Sequence, residues 1–355
     1  MLVFSGEDHF RQRLTLATLS GTPIKITGIR PDDMNPGLRD YEVSFLRLLE
    51  AITNGSVFEI SYTGTTVIYT PGLIIGGTHT HNAPLTRAVG YFIEPLLWLG
   101  PFGKKPLTIT LKGITTAPLD AGVDAIRTVL FPTLEKFGIL DSELRIVKRG
   151  SAPKGGGEVI LRMPFQVLQP STIHAQNLIQ VNKIRGIAYS TRVSPASVNR
   201  VIEAARAVLK PAQVETFVYS DATRGDESGL SPGFGITLVA ETRSGWPVGT
   251  QAVADAGSVP EELGAQAGRQ LLTELAMRGA VGRLELPLVL VMMALGKEDV
   301  GRLLIGKQMM DASTVQLLRE IKSFMGTQAT VREESDGLML TIKGSGFVSA
   351  SKKIA

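Results

Sequence analysis

The stretch "LRDYEVSFLRLLEAITNGSVFEISYTGTTVIYTPG" (residues 38–72) decides the architecture. Its first half carries apolar side chains at Val43, Leu46, Leu48, Leu49 and Ile52, the spacing of one helix face. Asn54-Gly55 stops that helix, and two β-rich runs follow, joined at Thr63-Gly64. The same order returns twice. "DAGVDAIRTVLFPTLEKFG" (120–138) leads into "ELRIVKRG" (143–150) and "GGGEVILRMP" (155–164). "DASTVQLLREIKSFMG" (311–326) leads into "QATVREES" (328–335) and "LMLTIKG" (338–344). Upstream of each copy stands a further helix and strand: Arg11–Leu19 with "TPIKITGI", Arg87–Leu99 with "LTITLKGI", and Pro287–Leu295 with "DVGRLLIGK". Repetition at ~80–100 residues predicts similar α/β layers around a shared axis, because solenoids repeat every ~20–50 residues.

A different rhythm interrupts the repeats. "IRGIAYS" (184–190), "VETFVYS" (214–220) and "GFGITLVAET" (233–242) read as strands. "SPASVNRVIEAARAVLK" (194–210) reads as a helix capped by Ser194, with Pro195 in its first turn. These features predict a small α/β domain over 181–258, inserted between repeats two and three. The large domain then comprises residues 1–180 (repeats one and two) and 259–355 (repeat three).

The 355 residues are 43% hydrophobic and 20% charged, enough to bury a large core. No apolar run reaches the ~18–20 residues that span a bilayer, and the N-terminus lacks the order of a signal peptide. There is no cysteine, which excludes disulfides, thiolate zinc sites and cysteine nucleophiles. The net charge of +4 permits contact with phosphates without requiring it.

Several local features bear on chemistry. In "KRGSAPKGGGEV" (148–159), Gly155 and Gly156 let the backbone approach an anion that Lys148, Arg149 and Lys154 neutralise; a basic hairpin is the plainer reading. Arg11 and Arg13 stand at a helix start, where they oppose the dipole unless an anion relieves them. Lys25 and Arg30 follow. His79 and His81 are spaced to share a metal, but no third ligand lies nearby, so a polar turn is expected and no metal site. His9 and His174 are isolated. Arg319 and Lys322 share a helix face beside Glu320, the residue types of a carboxylate base with cationic phosphate stabilisers for RNA cleavage; a solvated helix face is the plainer reading. The terminal "SASKKIA" is a short basic tail.

Motifs running the length of the chain, among them "LATLSGTPIKI", "ISYTGTTVIYTPGLIIGG", "KRGSAPKGGGEV", "IRGIAYSTRVSP", "DAGSVPEELG" and "GKEDVGRL", resemble the RNA 3′-terminal phosphate cyclase superfamily, specifically its eukaryotic cyclase-like branch. The resemblance implies three βαβαββ units plus the small inserted domain. It also implies a histidine that attacks ATP to form a covalent adenylate, within a "VG-x-H-L-A-D-Q" motif. That motif falls on "VGRLELPL" (281–288), setting Leu284 at the nucleophile, Pro287 at the aspartate and Leu288 at the glutamine. Leucine has no lone pair, so it cannot perform that step. Phe4 takes the place of a family acid, Asp33 of an arginine and Tyr41 of a glutamine, while Arg11 and Arg30 match family arginines. The resemblance thus implies a non-cyclase with no cofactor. As implied for that branch, it assembles the small ribosomal subunit in the nucleolus within the small-subunit processome, binds pre-rRNA and docks a ribosome-assembly GTPase. The alternatives are an endoribonuclease cleaving pre-rRNA, built on Arg319, Glu320 and Lys322, and, behind it, a residual RNA 3′-phosphate cyclase.

Overall fold

A computed structural model of the chain describes residues 1–164 and 166–349; most of the basic tail, 350–355, lies outside them. Three sheets repeat one topology. In the first, Leu2–Ser5 runs parallel to Ile24–Thr27, which pairs antiparallel with Val67–Thr70, which in turn pairs with Val57–Ile60. The second sheet has the same order: Gly77–Asn82, Leu107–Gly113, Gly157–Met163, Glu143–Lys148. The third follows it too, with His174–Ala175, Val300–Ile305, Gly337–Lys343 and Ala329–Glu334. Helices Phe10–Ser20 and Asp40–Ile52 complete the first βαβαββ unit, and their counterparts complete the others.

Local chemistry explains the boundaries. The Asp40–Ile52 helix begins where a Glu42 carboxylate oxygen accepts the Arg39 N–H at 2.7 Å. The chain then turns at Gly55, whose φ of 83° favours glycine. Asp311 caps Ala312–Met325 by accepting the Thr314 N–H at 2.8 Å. The helix Leu286–Leu295 is apolar all round and buried at every position but Pro287, so it lies inside the molecule with sheets outside it. No helix among the described residues is long and apolar enough to cross a membrane.

The fourth sheet belongs to the insert, with order Glu215–Thr223, Val181–Thr191, Gly233–Thr242, Val248–Val253. Helices Pro195–Leu209 and Pro260–Ala276 pack on it. The expected boundaries need two corrections. His174–Ala175 is the first strand of the third unit, so the insert divides that unit instead of separating it from the second. Helix Pro260–Ala276, expected with repeat three, shares its core with the insert: Leu263, Ala267 and Leu271 cluster with Val198, Val201 and Ala205. Gly264 permits this approach, because a Cβ there would lie 2.2 Å from the Val201 carbonyl oxygen.

Candidate functional site

The start of the Leu286–Leu295 helix opens onto a cavity of about 390 Å³. Leu284, Pro287 and Leu288 form one wall, and Arg11 from the first helix and Trp98 from Gly90–Leu99 form others. The insert supplies Gln251 and Glu274. The fold thus brings together Arg11 and three of the positions that the family resemblance singled out.

The charges in this cavity are already matched. Arg11 pairs with Glu94, donates to the Tyr91 carbonyl at 2.8 Å and lies 4.8 Å from the Tyr91 ring centre. Arg87 covers the same ring at 4.6 Å and chelates Asp120. Arg283 Nε donates to Glu274 at 2.8 Å. Burial pushes the Tyr91 phenol well above its ordinary range. The anion expected at the helix start is therefore supplied by the protein itself. Three carboxylates (Glu94, Asp120, Glu274) and two guanidiniums (Arg11, Arg283) line the cavity. Arg11 is already committed to Glu94, so an anion entering here competes with that carboxylate.

The other expected anion-binding residues lie elsewhere. Arg30 is held by both Glu42 carboxylate oxygens at 2.8 and 2.7 Å and donates to the Gly37 carbonyl at 3.1 Å. The Glu42 hydrogen bond raises its pKa. Arg30 thus closes its own loop and does not face the cavity. Asp33 pairs with Arg39 on the surface, and Tyr41 packs edge-on against Tyr91 at 5.1 Å. Phe4 stacks on Phe324 at 5.5 Å with Arg13 over its ring. Phe4 thus makes a hydrophobic join between the first strand and the helix Ala312–Met325.

Arg149 corrects the expectation of an anion cradle. It is 2% exposed, bound to both Asp124 oxygens at 2.7 and 3.0 Å and to Asp221 at 2.7 Å, and it covers the Tyr189 ring. These two carboxylates hold its pKa up against the opposing effect of burial. Gly155 and Gly156 are not an open nest either. The Leu230 N–H donates to the Gly155 carbonyl at 2.9 Å, and a Cβ on Gly156 would lie 2.8 Å from Leu230 Cγ. A loop of the insert fills the hairpin. Lys148 and Lys154 remain at the surface, with Lys154 exposed.

The nuclease arrangement is also corrected. Arg319 and Lys322 are exposed, but Glu320 points inward with 1% exposure. Its oxygens meet Arg13 Nε at 2.8 Å and His9 Nδ1 at 3.0 Å, joining the first and third units. Glu320 is thus a buried, paired carboxylate turned away from both cations. His79 and His81 lie on a strand, not in a turn. His79 meets the Gly76 carbonyl and His81 the Ser44 hydroxyl, and burial lowers the His81 pKa to about 4. His174 is exposed on its strand. Among the described residues no cluster of three or more His, Cys, Asp or Glu could hold a metal.

Sequence reasoning passed over Glu285, next to Leu284. It is fully buried; one oxygen accepts the Gly282 N–H at 2.5 Å and the other has no partner among the described residues. Burial pushes its carboxyl up to about 8. Its signal was available: a lone acid inside the apolar run "LELPLVLV". Arg87, Glu94, Asp120 and Gln251 were also missed, because nothing local marks residues that meet only through folding.

This fold and the cavity at the start of the Leu286–Leu295 helix define a class. The chain belongs to the RNA 3′-terminal phosphate cyclase family, whose pattern it matches over residues 2–331. Among its relatives, it is 52% identical to rRNA processing protein RCL1 of Saccharomyces cerevisiae, covering 99% of this chain and 97% of that one. It is 42% identical to the human RNA 3′-terminal phosphate cyclase-like protein, covering 99% and 98%. The rRNA processing protein rcl1 of Schizosaccharomyces pombe is 46% identical over similar spans.

Proposed function

We propose that this chain is a non-cyclase assembly factor that acts in rRNA processing. It works in the nucleolus as part of the small-subunit processome, on pre-rRNA that yields the small-subunit rRNA, and docks a ribosome-assembly GTPase. The observation that carries the reading is Leu284 on the cavity wall: an aliphatic group with no lone pair stands where the family resemblance sets the attacking imidazole. The matched charges around it support the same conclusion, and relatives similar over nearly the full chain are named rRNA processing proteins.

Two measurements test this. Incubation of the purified protein with α-labelled ATP is expected to give no covalent adduct; a labelled band that survives denaturation overturns the non-cyclase reading. In yeast depleted of the endogenous relative, expression of this chain is expected to restore small-subunit rRNA maturation and to co-purify a GTPase. Failure to restore maturation, with normal protein levels, removes the processing role. Restoration without a GTPase removes only that partner.

A further inference from the structure

The outward face of the second sheet is charged differently from that of the first. Strand register sets three rows across it. Asn82, Lys112, Glu158 and Lys148 form one; Thr80, Thr110, Ile160 and Arg145 the next; Thr78, Thr108, Arg162 and Glu143 the third. The alternate positions, including Ile109, Leu111, Val159 and Leu161, are buried on the inner face. Four cations therefore share this face with two acids. Lys112 and Glu158 are 3.5 Å apart, and Arg162 and Glu143 are 3.6 Å apart, with exposed or half-exposed side chains throughout. Such pairs are loose and contribute little. Among the described residues Arg145 forms no ion pair, and Lys148 faces Glu158 across the register without pairing to it. Both acids are already engaged by the other two cations. Between the cations the face carries hydroxyl and amide donors from Thr78, Thr80, Thr108, Thr110 and Asn82. By contrast, the first sheet's outward face holds Val3, Lys25, Ile68 and Glu59 in one row, with no net charge.

We infer that the outer face of the second sheet, centred on Arg145 and Lys148 with Lys112 and Arg162, binds the sugar–phosphate backbone of RNA. This rests on the reading of the chain as an rRNA processing factor and gives that reading a surface. Rows lie about 7 Å apart, twice the residue rise of a strand, so the cations meet successive phosphates of an extended strand and not a single ion. Threonine hydroxyls and the asparagine amide donate to phosphate and ribose oxygens without reading base identity. Lys154 extends from the hairpin at the end of the first row. The former catalytic cavity plays no part in this contact.

The test uses the full-length purified protein and a short fluorescein-labelled oligouridine, followed by anisotropy over a salt series. Arg145→Ala with Lys148→Ala is expected to weaken binding and to lower the slope of log affinity against log salt by about 0.7 per lost contact. Arg302→Glu with Arg332→Glu, exposed positions on the third sheet, makes a larger change in net charge and is expected to weaken binding less. Circular dichroism confirms that each variant is folded. Three results overturn the inference: no binding by the unaltered protein, an unchanged slope in the first variant, or equal or greater losses in the control. Equal competition by a polyglutamate peptide of the same charge also overturns it, in favour of an acidic protein segment. Because these measurements use purified protein, their failure leaves the rRNA processing role to be judged by the complementation result.

Discussion

At the start of the Leu286–Leu295 helix, two neighbouring side chains behave oppositely. Leu284 presents an aliphatic group with no lone pair, while Glu285 is a buried acid with one oxygen unpartnered among the described residues. Because the folded carboxyl titrates near 8 and the unfolded one near its ordinary value, the native state holds a proton that the unfolded state releases. Stability is therefore full below the unfolded pKa and falls as pH rises from about 4.5 through about 8. Glu285→Gln keeps an acceptor for Gly282 and removes the ionisation. Its melting temperature is expected to match that of the parent near pH 5 and to exceed it near pH 8, by roughly 1–3 kcal/mol of stability. Parallel curves for the two proteins across that range contradict the assignment. Arg149 gives a second prediction. Its removal leaves Asp124 buried without a cation, so Arg149→Ala is expected to cost roughly 3–5 kcal/mol in urea unfolding. Loss of RNA binding with unchanged stability restores the anion-cradle reading.

At the scale of elements, the insert is fixed to the body by contacts that no single helix or strand encodes. The Gly155 and Gly156 hairpin receives the loop at Gly229 and Leu230, and Gln251 binds the 117–122 segment through Gly122 N–H and the Ala117 and Asp120 carbonyls. Within the insert, Gly264 and Gly268 let two helices touch. Gly264→Ala places a methyl against the Val201 carbonyl, so thermal unfolding is expected to show a loss of about 1–3 kcal/mol. A neutral result indicates that the helices separate at no cost. Glu320, by contrast, acts between units. Glu320→Gln leaves Arg13 and His9 with a neutral partner, so stability is expected to fall, with no bearing on RNA cleavage. A variant of unchanged stability that loses RNA cutting reopens the nuclease reading.

For the whole molecule, the cavity's matched charges predict indifference to nucleotides. A ligand bound only by the native state at a hundredfold excess over its Kd adds about 2.7 kcal/mol and raises the melting temperature visibly. Millimolar ATP is expected to leave the melting temperature unchanged, and a saturable rise contradicts the reading of the cavity. The architecture was legible because each unit is written locally: apolar faces at helical spacing, Asn54-Gly55 as a stop and, in the insert, Ser194 as a cap. The short strand His174–Ala175 was not, since two residues carry no period. Nor was helix Pro260–Ala276 assignable to a body, because an amphipathic face shows that a helix packs but not on what.

The sequence by itself determined the threefold repetition of helices and paired strands and the aliphatic side chain at position 284, all properties of residues near one another in the chain. The tertiary structure alone decided which charges remain available. His9 and Glu320 meet across 311 positions, Arg11 and Glu94 across 83, and Arg149 and Asp221 across 72. A guanidinium's partner is set by distance in space, and a linear reading cannot distinguish an arginine waiting for phosphate from one already neutralised by a buried carboxylate.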